Sequence, residues 1–328
     1  MLNLKMELQA KDSQIQLLGK ELHAYTTNAL TPECLNNSHV PEYFHYCTGF
    51  TYDQFNSLCE FFKVPNDPIT QQTNIPLSYK MPDIEIQKRP VRSQFLLTLM
   101  KLRQNFDHKD LAFRVQIRVQ SVSTLINSWV DYMYDRLGQL SIWPHRDVIS
   151  QNMPVNFKEE FLNTFAILDC TELKTQKPSS LLLRSQIYST YKSSNTLKSL
   201  VACDPRGAVM YVSALFTGSI SDKEIFNQCN IIELLQGCIQ CGYLKVGDGL
   251  MTDKGFLIEK EVEEIGLRLN IPPFARSNHQ MPHADVEMTK KVAKHRVHVE
   301  RAIAKIKKFK IVSGRIPMSR LSNINEIW

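Results

Sequence analysis

The 328-residue chain lacks the segments that mark membrane and secreted proteins. No apolar run approaches the roughly 18 residues that a membrane-spanning helix needs. The N-terminus, MLNLKMEL, lacks the basic, apolar and cleavage-site order of a secretory signal. A glycine-rich phosphate loop and a nucleophile elbow are also missing. These absences predict a nuclear or cytoplasmic protein without a nucleotide-binding loop.

The chain has no disulfide framework or paired zinc motif. Its eight cysteines are scattered, as is typical of reduced intracellular thiols. Cys238 and Cys241, with Cys229 nearby, are close enough in sequence to suggest zinc. No second pair lies at ligand spacing, so buried thiols are favoured over a zinc site.

Positive charge is concentrated near the C-terminus. The net charge is only +6, and the apolar and charged fractions, 43% and 22%, are those of an ordinary globular protein. Residues 284–315, however, contain ten Lys or Arg and three acidic residues, an excess of seven positive charges. A basic stripe of this kind favours a polyphosphate partner, because neutralising phosphates releases counterions. A solvated helix face is the alternative.

The first 90 residues predict a helical appendage followed by a linker. Apolar residues spaced like a heptad, interrupted by Lys11, predict a short coiled coil or an amphipathic helix over residues 4–22. A second helix is expected over residues 53–62. Residues 64–90 carry five of the fifteen prolines, which indicates irregular structure. We therefore predict an appendage over 1–63 and a linker over 64–90.

Residues 91–140 have the pattern of a helix-turn-helix module. Apolar residues recur at helical spacing from Phe95, a short helix over 108–113 has Asp107 as its expected N-cap, and a third helix begins near Gln120. The turn, RVQIR, lacks the usual glycine, and a generic helical bundle has the same apolar pattern. In a helix-turn-helix, the residues offered to a DNA groove would be Arg118, Gln120, Ser121, Ser123 and Thr124.

Strands and helices alternate after residue 144, which predicts an α/β domain with a mixed sheet. We expect strands over 164–168, 197–202, 208–215, 244–246 and 249–252. Long helices are expected over 222–235 and 284–309.

Two aspartates end apolar runs within this pattern. Asp169 follows Ile167-Leu168, and Asp253 follows Leu250-Met251-Thr252. Carboxylates at strand ends suit Mg²⁺, which takes oxygen ligands and keeps several waters. Two such ions can activate a nucleophile and stabilise the leaving oxygen of a phosphodiester. An isolated strand-end aspartate is more often a turn residue, so spacing alone leaves both interpretations open.

Glu300 lies within the basic helix, one position from its apolar stripe. Such an acid can face a cleft, but spacing alone favours a surface salt bridge with Arg296 at i−4. His295 and His298 are near enough to ligate a metal, although solvated histidines on a helix face are the favoured interpretation.

Several segments together resemble a known family. ILDCTEL, YVSALFTGSISDKEIF, GDGLMTDKGF and HRVHVERAIAKIKKFKIV resemble the DDE endonuclease domain of Harbinger-type transposases and their domesticated animal relatives. The segment LLTLMKLRQNFDHKDLAFRVQIRVQSVSTLINSW resembles the helix-turn-helix that accompanies that domain. The match covers about residues 90–328, roughly three quarters of the chain.

The resemblance implies a ribonuclease H-like fold over residues 160–328, with a mixed sheet and flanking helices. It also implies a catalytic and metal-binding triad of Asp169, Asp253 and Glu300, with Mg²⁺ or Mn²⁺ as cofactor. It selects Asp253 over Asp248 in GDGLMTD. Asp222 matches a further recurrent acidic position, although an aspartate at a helix start is an equal explanation.

The implied function is that of a nuclear, metal-dependent DNA endonuclease or transposase. A catalytically inactive DNA-binding or scaffold protein is the alternative, and RNA cleavage is a third. A separate DNA-binding partner protein and a homodimer are further expectations. The residues expected to bind phosphates are Lys254, Lys290, Lys291, Arg296, Arg301, Lys305 and Lys308.

The chain departs from the family pattern in two places. Val115 and Arg118 replace the more usual aromatic and small hydroxyl residues of the helix-turn-helix, so target specificity is expected to differ. The chain ends at NEIW, where family members usually continue, so we expect a domain shortened at its C-terminus.

Overall fold

The computed structural model describes residues 30–64, 89–140, 142–274 and 281–328, with 11, 14 and 86 as isolated positions. The heptads over 4–22 and most of the predicted linker lie outside these ranges. The chain divides into two compact units, Met1–Leu137 and Gly138–Trp328. In the described part, no helix is long and apolar enough to cross a membrane.

The first unit is helical throughout its described residues. The helices are α1 (Pro32–Asn36), α2 (Tyr43–Thr48), α3 (Tyr52–Phe61), α4 (Val91–Gln104), α5 (His108–Val115) and α6 (Val119–Gly138). An aromatic cluster joins the earlier helices to the later ones: the ring of Phe55 stacks on Phe95 at 5.6 Å, and Phe95 packs on Trp129 at 5.2 Å. Helices before and after the proline-rich segment therefore share one core.

The helix-turn-helix elements follow from local chemistry. The Asp107 carboxylate accepts a hydrogen bond from the Lys109 backbone N–H at 2.7 Å, which caps α5 as expected. The turn after α5 uses Gln116 in place of glycine, with φ of 52°. Its N–H donates to the carbonyls of Ala112 and Phe113. A left-handed glutamine thus ends α5 where glycine would be the easier residue.

The second unit is a mixed α/β domain. Its strands are β1 (Thr164–Lys174), β2 (Tyr188–Ser189), β3 (Ser194–Cys203), β4 (Val209–Val212), β5 (Phe216–Thr217), β6 (Gly249–Met251) and β7 (Arg268–Asn270). Its helices are α7 (Arg146–Gln151), α8 (Val155–Glu160), α9 (Leu181–Gln186), α10 (Asp222–Gln228), α11 (Ile231–Gln240), α12 (Glu259–Glu264), α13 (His283–Ile306), α14 (Lys310–Ser313) and α15 (Ile324–Ile327).

The sheet has the ribonuclease H-like order β2-β3-β1-β6-β7. Strand β1 pairs antiparallel with β3 and parallel with β6, and β6 is parallel with β7. Strands β4 and β5 pair with β3. Central β1 is buried from Thr164 to Leu168, as its apolar run predicts, and Val292 and Val299 of α13 belong to the same core.

Two predicted elements are wrong. Residues 244–246 form a turn, because the Lys245 N–H donates to the Asp248 carboxylate at 2.8 Å and Gly247 adopts φ of 89°. The helix expected over 222–235 is two helices, α10 and α11, because Asn230 adopts a left-handed φ of 58° between them. Apolar periodicity continues across both breaks, so the pattern does not reveal them.

Candidate active site

The sheet register aligns Asp169 and Asp253. Ile167 of β1 pairs with Met251 of the parallel strand β6. Each aspartate lies two residues beyond its member of this pair, and side chains two apart on a strand share a face. Asp169 lies inside β1, which continues beyond the predicted strand end, whereas Asp253 lies in the turn two residues after β6. The register therefore places the two aspartates next to each other, and a rigid central strand positions Asp169 more closely than a loop would.

Arg296 of α13 lies between the two carboxylates. Its Nη2 atom is 3.3 Å from Asp169 Oδ1 and 3.8 Å from Asp253 Oδ2. Among the described residues Arg296 makes no such ion pair with Glu300, so the surface salt bridge favoured by helical spacing does not form. The guanidinium is instead directed into the sheet, where it is the shared counter-ion of two partly buried acids.

The turn after β6 fixes Asp253. The Gly255 N–H donates to Asp253 Oδ1 at 2.7 Å. A Cβ at Gly255 would lie 3.0 Å from this oxygen and 3.1 Å from Asp222 Oδ2. Glycine in TDKGF therefore lets the Asp253 and Asp222 carboxylates approach the same backbone position, which a larger residue would force apart.

Asp222 is the first residue of α10, but it does not cap that helix. Ser221 is the N-cap and accepts from the Glu224 N–H at 3.2 Å. The Asp222 carboxylate instead pairs with Lys198 Nζ of β3 at 2.6 Å. Its side chain thus belongs to the polar cluster around the sheet end.

Burial dominates the electrostatics of Asp169. Desolvation raises the pKa of its carboxyl from about 3.8 to about 6. The Arg296 guanidinium opposes this increase, whereas Asp253 and Asp222 add to it as nearby like charges. A nearby cation stabilises the ionised form of such a carboxyl. In the part of the chain that the structure describes, Arg296 is the one basic side chain that contacts both Asp169 and Asp253.

These residues line an open cleft of about 640 Å³. Its acidic lining residues are Asp169, Glu172, Asp222, Asp253 and Glu300. Its basic lining residues are Lys192, Lys198, Arg296 and Lys307. The cleft brings together the three acids predicted as a triad, the fourth acid Asp222, and a basic surround.

Four of the charged lining residues were not predicted from the sequence. Glu172, in ILDCTEL, accepts from Ser189 Oγ at 3.1 Å and Thr196 Oγ1 at 2.7 Å. Lys307 Nζ donates to the Glu172 carbonyl at 3.0 Å. Lys192 and Lys198 are the other two. They lie on or next to strand β3, and no sequence spacing links them to the acids.

The donor set fits a divalent cation of the magnesium type. Among the described residues, no three His, Cys, Asp or Glu side chains are close enough to hold a metal by themselves. Mg²⁺ is nevertheless commonly bound through one or two carboxylates, with water and substrate phosphate completing its shell. Asp169 and Asp253 already converge on one cationic group. Glu300 is exposed and lines the same cleft.

The predicted phosphate-binding residues have different environments. Lys290, Arg301 and Lys305 of α13 are exposed, as is Lys308, two residues after the helix ends, and Lys254 is half-buried. Lys291 is partly engaged with Glu160, at 3.9 Å. In this set, only Arg296 lines the cleft. The exposed members form a separate basic surface along α13.

One predicted DNA-contacting residue of the helix-turn-helix is inaccessible. Ser121 is 1% exposed, because it lies on the inner side of α6 near its start. Gln120 and Arg118 are exposed, and Ser123 and Thr124 are half-buried. Ser121 is therefore withdrawn as a base-contacting residue, whereas the other four stay predictions.

The other residues considered as metal ligands are buried or half-buried among protein groups. His295 is fully buried between the rings of Phe157 and Phe161, at 4.4 and 5.0 Å, so the expectation of a solvated histidine is wrong. His298 is half-buried, and burial lowers its pKa. Asp248 is buried and accepts two hydrogen bonds from Arg146, at 2.8 and 3.0 Å.

Comparison with known proteins identifies the family. The model of the DDE superfamily endonuclease matches residues 168–328, and the model of the helix-turn-helix of DDE superfamily endonucleases matches residues 90–139. Together they cover almost two thirds of the chain. Residues 168–328 therefore form a DDE superfamily endonuclease domain, preceded by the helix-turn-helix of that family. The family expected from the sequence motifs is thereby confirmed, as is the helix-turn-helix before the nuclease domain.

A curated relative supports this assignment. "Putative nuclease HARBI1" of Xenopus laevis is 23% identical over 150 residues, which are 44% of this chain. The matched part spans about two fifths (40%) of that relative. No solved structure gives a significant match.

Proposed function

We propose that this DDE superfamily member is a metal-dependent DNA endonuclease that acts at the Asp169–Asp253 cleft. The observation that carries the proposal is the proximity of Asp169, on β1, to Asp253, two residues after the parallel strand β6, around one shared cation. Glu300 lines the same cleft and would complete the triad. A transposase-derived enzyme of this kind would act in the nucleus, where its DNA is.

Asp169 and Asp253 would hold Mg²⁺ or Mn²⁺, with Glu300 as the third carboxylate. The chemistry that these ions supply is activation of water or a 3′-hydroxyl and stabilisation of the leaving oxygen. Burial and the neighbouring acids Asp253 and Asp222 raise the pKa of Asp169, so a bound cation would stabilise its ionised form. Lys198 pairs with Asp222 at 2.6 Å and so offsets the charge of that fourth acid within the cleft.

Positive side chains would bring the phosphodiester to these acids. Lys192, Lys198 and Lys307 line the cleft and can neutralise phosphates close to the reacting bond. If Asp169 and Asp253 held a metal ion, the Arg296 guanidinium would be free to donate two N–H groups to a phosphate. The exposed residues of α13 would extend this contact along the duplex without reading bases.

A plasmid assay separates this function from its main alternative, an inactive DNA-binding or scaffold protein. Supercoiled plasmid is incubated with the full chain in Mg²⁺, in Mn²⁺ and in EDTA, while binding is followed by gel shift. Nicking that requires the divalent ion supports the endonuclease. Binding without nicking in either metal supports the inactive protein. Addition of competing RNA tests the third candidate, because an RNA-cleaving enzyme would lose DNA nicking and degrade the competitor.

A further inference from the structure

Two exposed tyrosines border the catalytic cleft. Tyr188 of β2 and Tyr191 in the turn that follows both line it. Tyr188 is 41% exposed and Tyr191 is 82% exposed, so the Tyr191 ring packs against almost no protein. The Lys192 ammonium lies 4.3 Å from the Tyr191 ring centroid. A large aromatic ring is thus held in water beside the candidate catalytic acids.

Strand pairing and hydrogen bonds to β1 hold the hairpin that carries these rings. Its strands pair through Tyr188 with Asn195 and Ser189 with Ser194. The buried Ser189 hydroxyl donates to Glu172 at 3.1 Å and accepts from the Lys192 N–H at 3.2 Å. The polar side of the hairpin is therefore fixed to β1, and its tyrosines face the open cleft. Preformed placement lowers the entropic cost of binding a ligand on them.

The surroundings indicate the class of ligand. Lys192, Lys198 and Lys307 give this end of the cleft a positive lining that attracts phosphates. Aromatic faces next to a basic groove are the combination that binds single-stranded nucleic acid, where bases stack on the rings and the backbone follows the charges. In a duplex both faces of each base are covered by neighbouring pairs, so only an unpaired nucleotide can use the rings.

We propose that Tyr188 and Tyr191 form a stacking platform for an unpaired nucleotide next to the carboxylates. The preferred substrate is then DNA with a single-stranded or frayed segment at the point of cleavage, rather than continuous duplex. The proposal rests on the proposed function, since it requires DNA in this cleft. It goes further by naming the form of the DNA and the side chains that select it.

The test compares the binding of two labelled oligonucleotides to the full-length protein in EDTA, so that cleavage plays no part. One is a continuous duplex, and the other is the same duplex with an unpaired stretch of a few nucleotides. Fluorescence anisotropy gives both dissociation constants. We expect the wild type to bind the unpaired form about 10-fold more tightly, within the range that base stacking on aromatic residues supports.

Three variants identify the cause. Tyr191→Leu removes the ring and should reduce the preference to about twofold or less, whereas Tyr191→Phe keeps the ring and should retain it. Tyr243→Leu is the matched control, because Tyr243 is an exposed tyrosine (39%) of the same unit that does not line the cleft. Both substituted positions are exposed, so circular dichroism should show unchanged folding.

The outcomes separate the two proposals. No binding of either oligonucleotide by the wild type would overturn the proposed function and the platform together. Tight but equal binding of both forms would overturn the platform and leave the endonuclease in place. Loss of the preference in Tyr191→Phe would also overturn it, because the hydroxyl rather than the ring would then be responsible.

Discussion

Asp169→Asn is expected to stabilise the metal-free protein while it removes activity. Burial raises the pKa of Asp169 to about 6, from about 3.8. Because the folded-state pKa is the higher one, ionisation of this carboxyl costs stability, and the cost grows as pH rises from about 4 to 6. A difference of roughly two pKa units corresponds to about 3 kcal/mol. Asparagine keeps the shape and carries no charge, so it avoids this cost.

Thermal unfolding in EDTA measures the effect. At pH 7.5 the variant should melt about 6 to 12 °C above the wild type, given about 2–4 °C per kcal/mol for a domain of this size. The advantage should shrink toward zero at pH 4, where Asp169 is protonated in the wild type. Asp147→Asn is the control, an exposed aspartate of the same unit. An equal or lower melting temperature at pH 7.5, or an advantage independent of pH, would refute the reasoning.

Three further changes test the surrounding structure. Arg296→Met removes the counter-ion of Asp169 and Asp253 and should cost about 2 kcal/mol at pH 7.5 in EDTA, between the values for surface and buried pairs; an unchanged melting temperature would argue against the shared pairing. Asp248→Asn breaks a buried ion pair with Arg146 and should cost about 3 kcal/mol. Its nicking rate per folded molecule should stay within about twofold, and a complete loss would mean that Asp248 acts in catalysis. Gln116→Gly relieves a left-handed turn and should add about 0.5 kcal/mol in urea denaturation; a destabilised variant would show that this turn carries no strain.

The two aspartates could be identified from the sequence because each follows an apolar run, although β1 continues to Lys174 and Asp169 therefore lies inside the strand rather than at its end. A buried apolar run followed by Asp169 is visible without a structure, and so is the run before Asp253. The proximity of the two aspartates in space could not be predicted from these runs, because it depends on the parallel pairing of β1 with β6 across about 80 residues of chain. The resemblance to the family motifs indicated that the two aspartates belong to one site, and the register of β1 and β6 explains how they come together.

Glu300 illustrates the limit of helical spacing. Counting along α13 predicts an Arg296–Glu300 pair, but the sheet below the helix offers Arg296 two carboxylates that the count does not include. A partly buried contact to two acids outweighs one exposed i,i+4 pair, which contributes only a few tenths of a kcal/mol. Tertiary neighbours therefore decided the geometry, as they did for buried Ser121 and His295.

The cleft's basic and aromatic lining was missed for a similar reason. Lys192, Lys198 and Lys307 are separated in sequence and lie in segments with no shared pattern. Strand pairing between Glu172 and Lys198, and the hairpin that carries Tyr191, bring them to one end of the sheet. No local periodicity in the sequence indicates that these residues of a strand, a loop and a helix end come together at the cleft.

The most direct test of the central claim is the rate of Mg²⁺-dependent plasmid nicking by three matched variants. Asp169→Asn and Asp253→Asn should each lower the rate at least about 100-fold, because loss of a ligand to the metal removes several kcal/mol of transition-state stabilisation. Asp147→Asn should nick at the wild-type rate. Undiminished nicking by Asp169→Asn or Asp253→Asn would show that these carboxylates are not the active site.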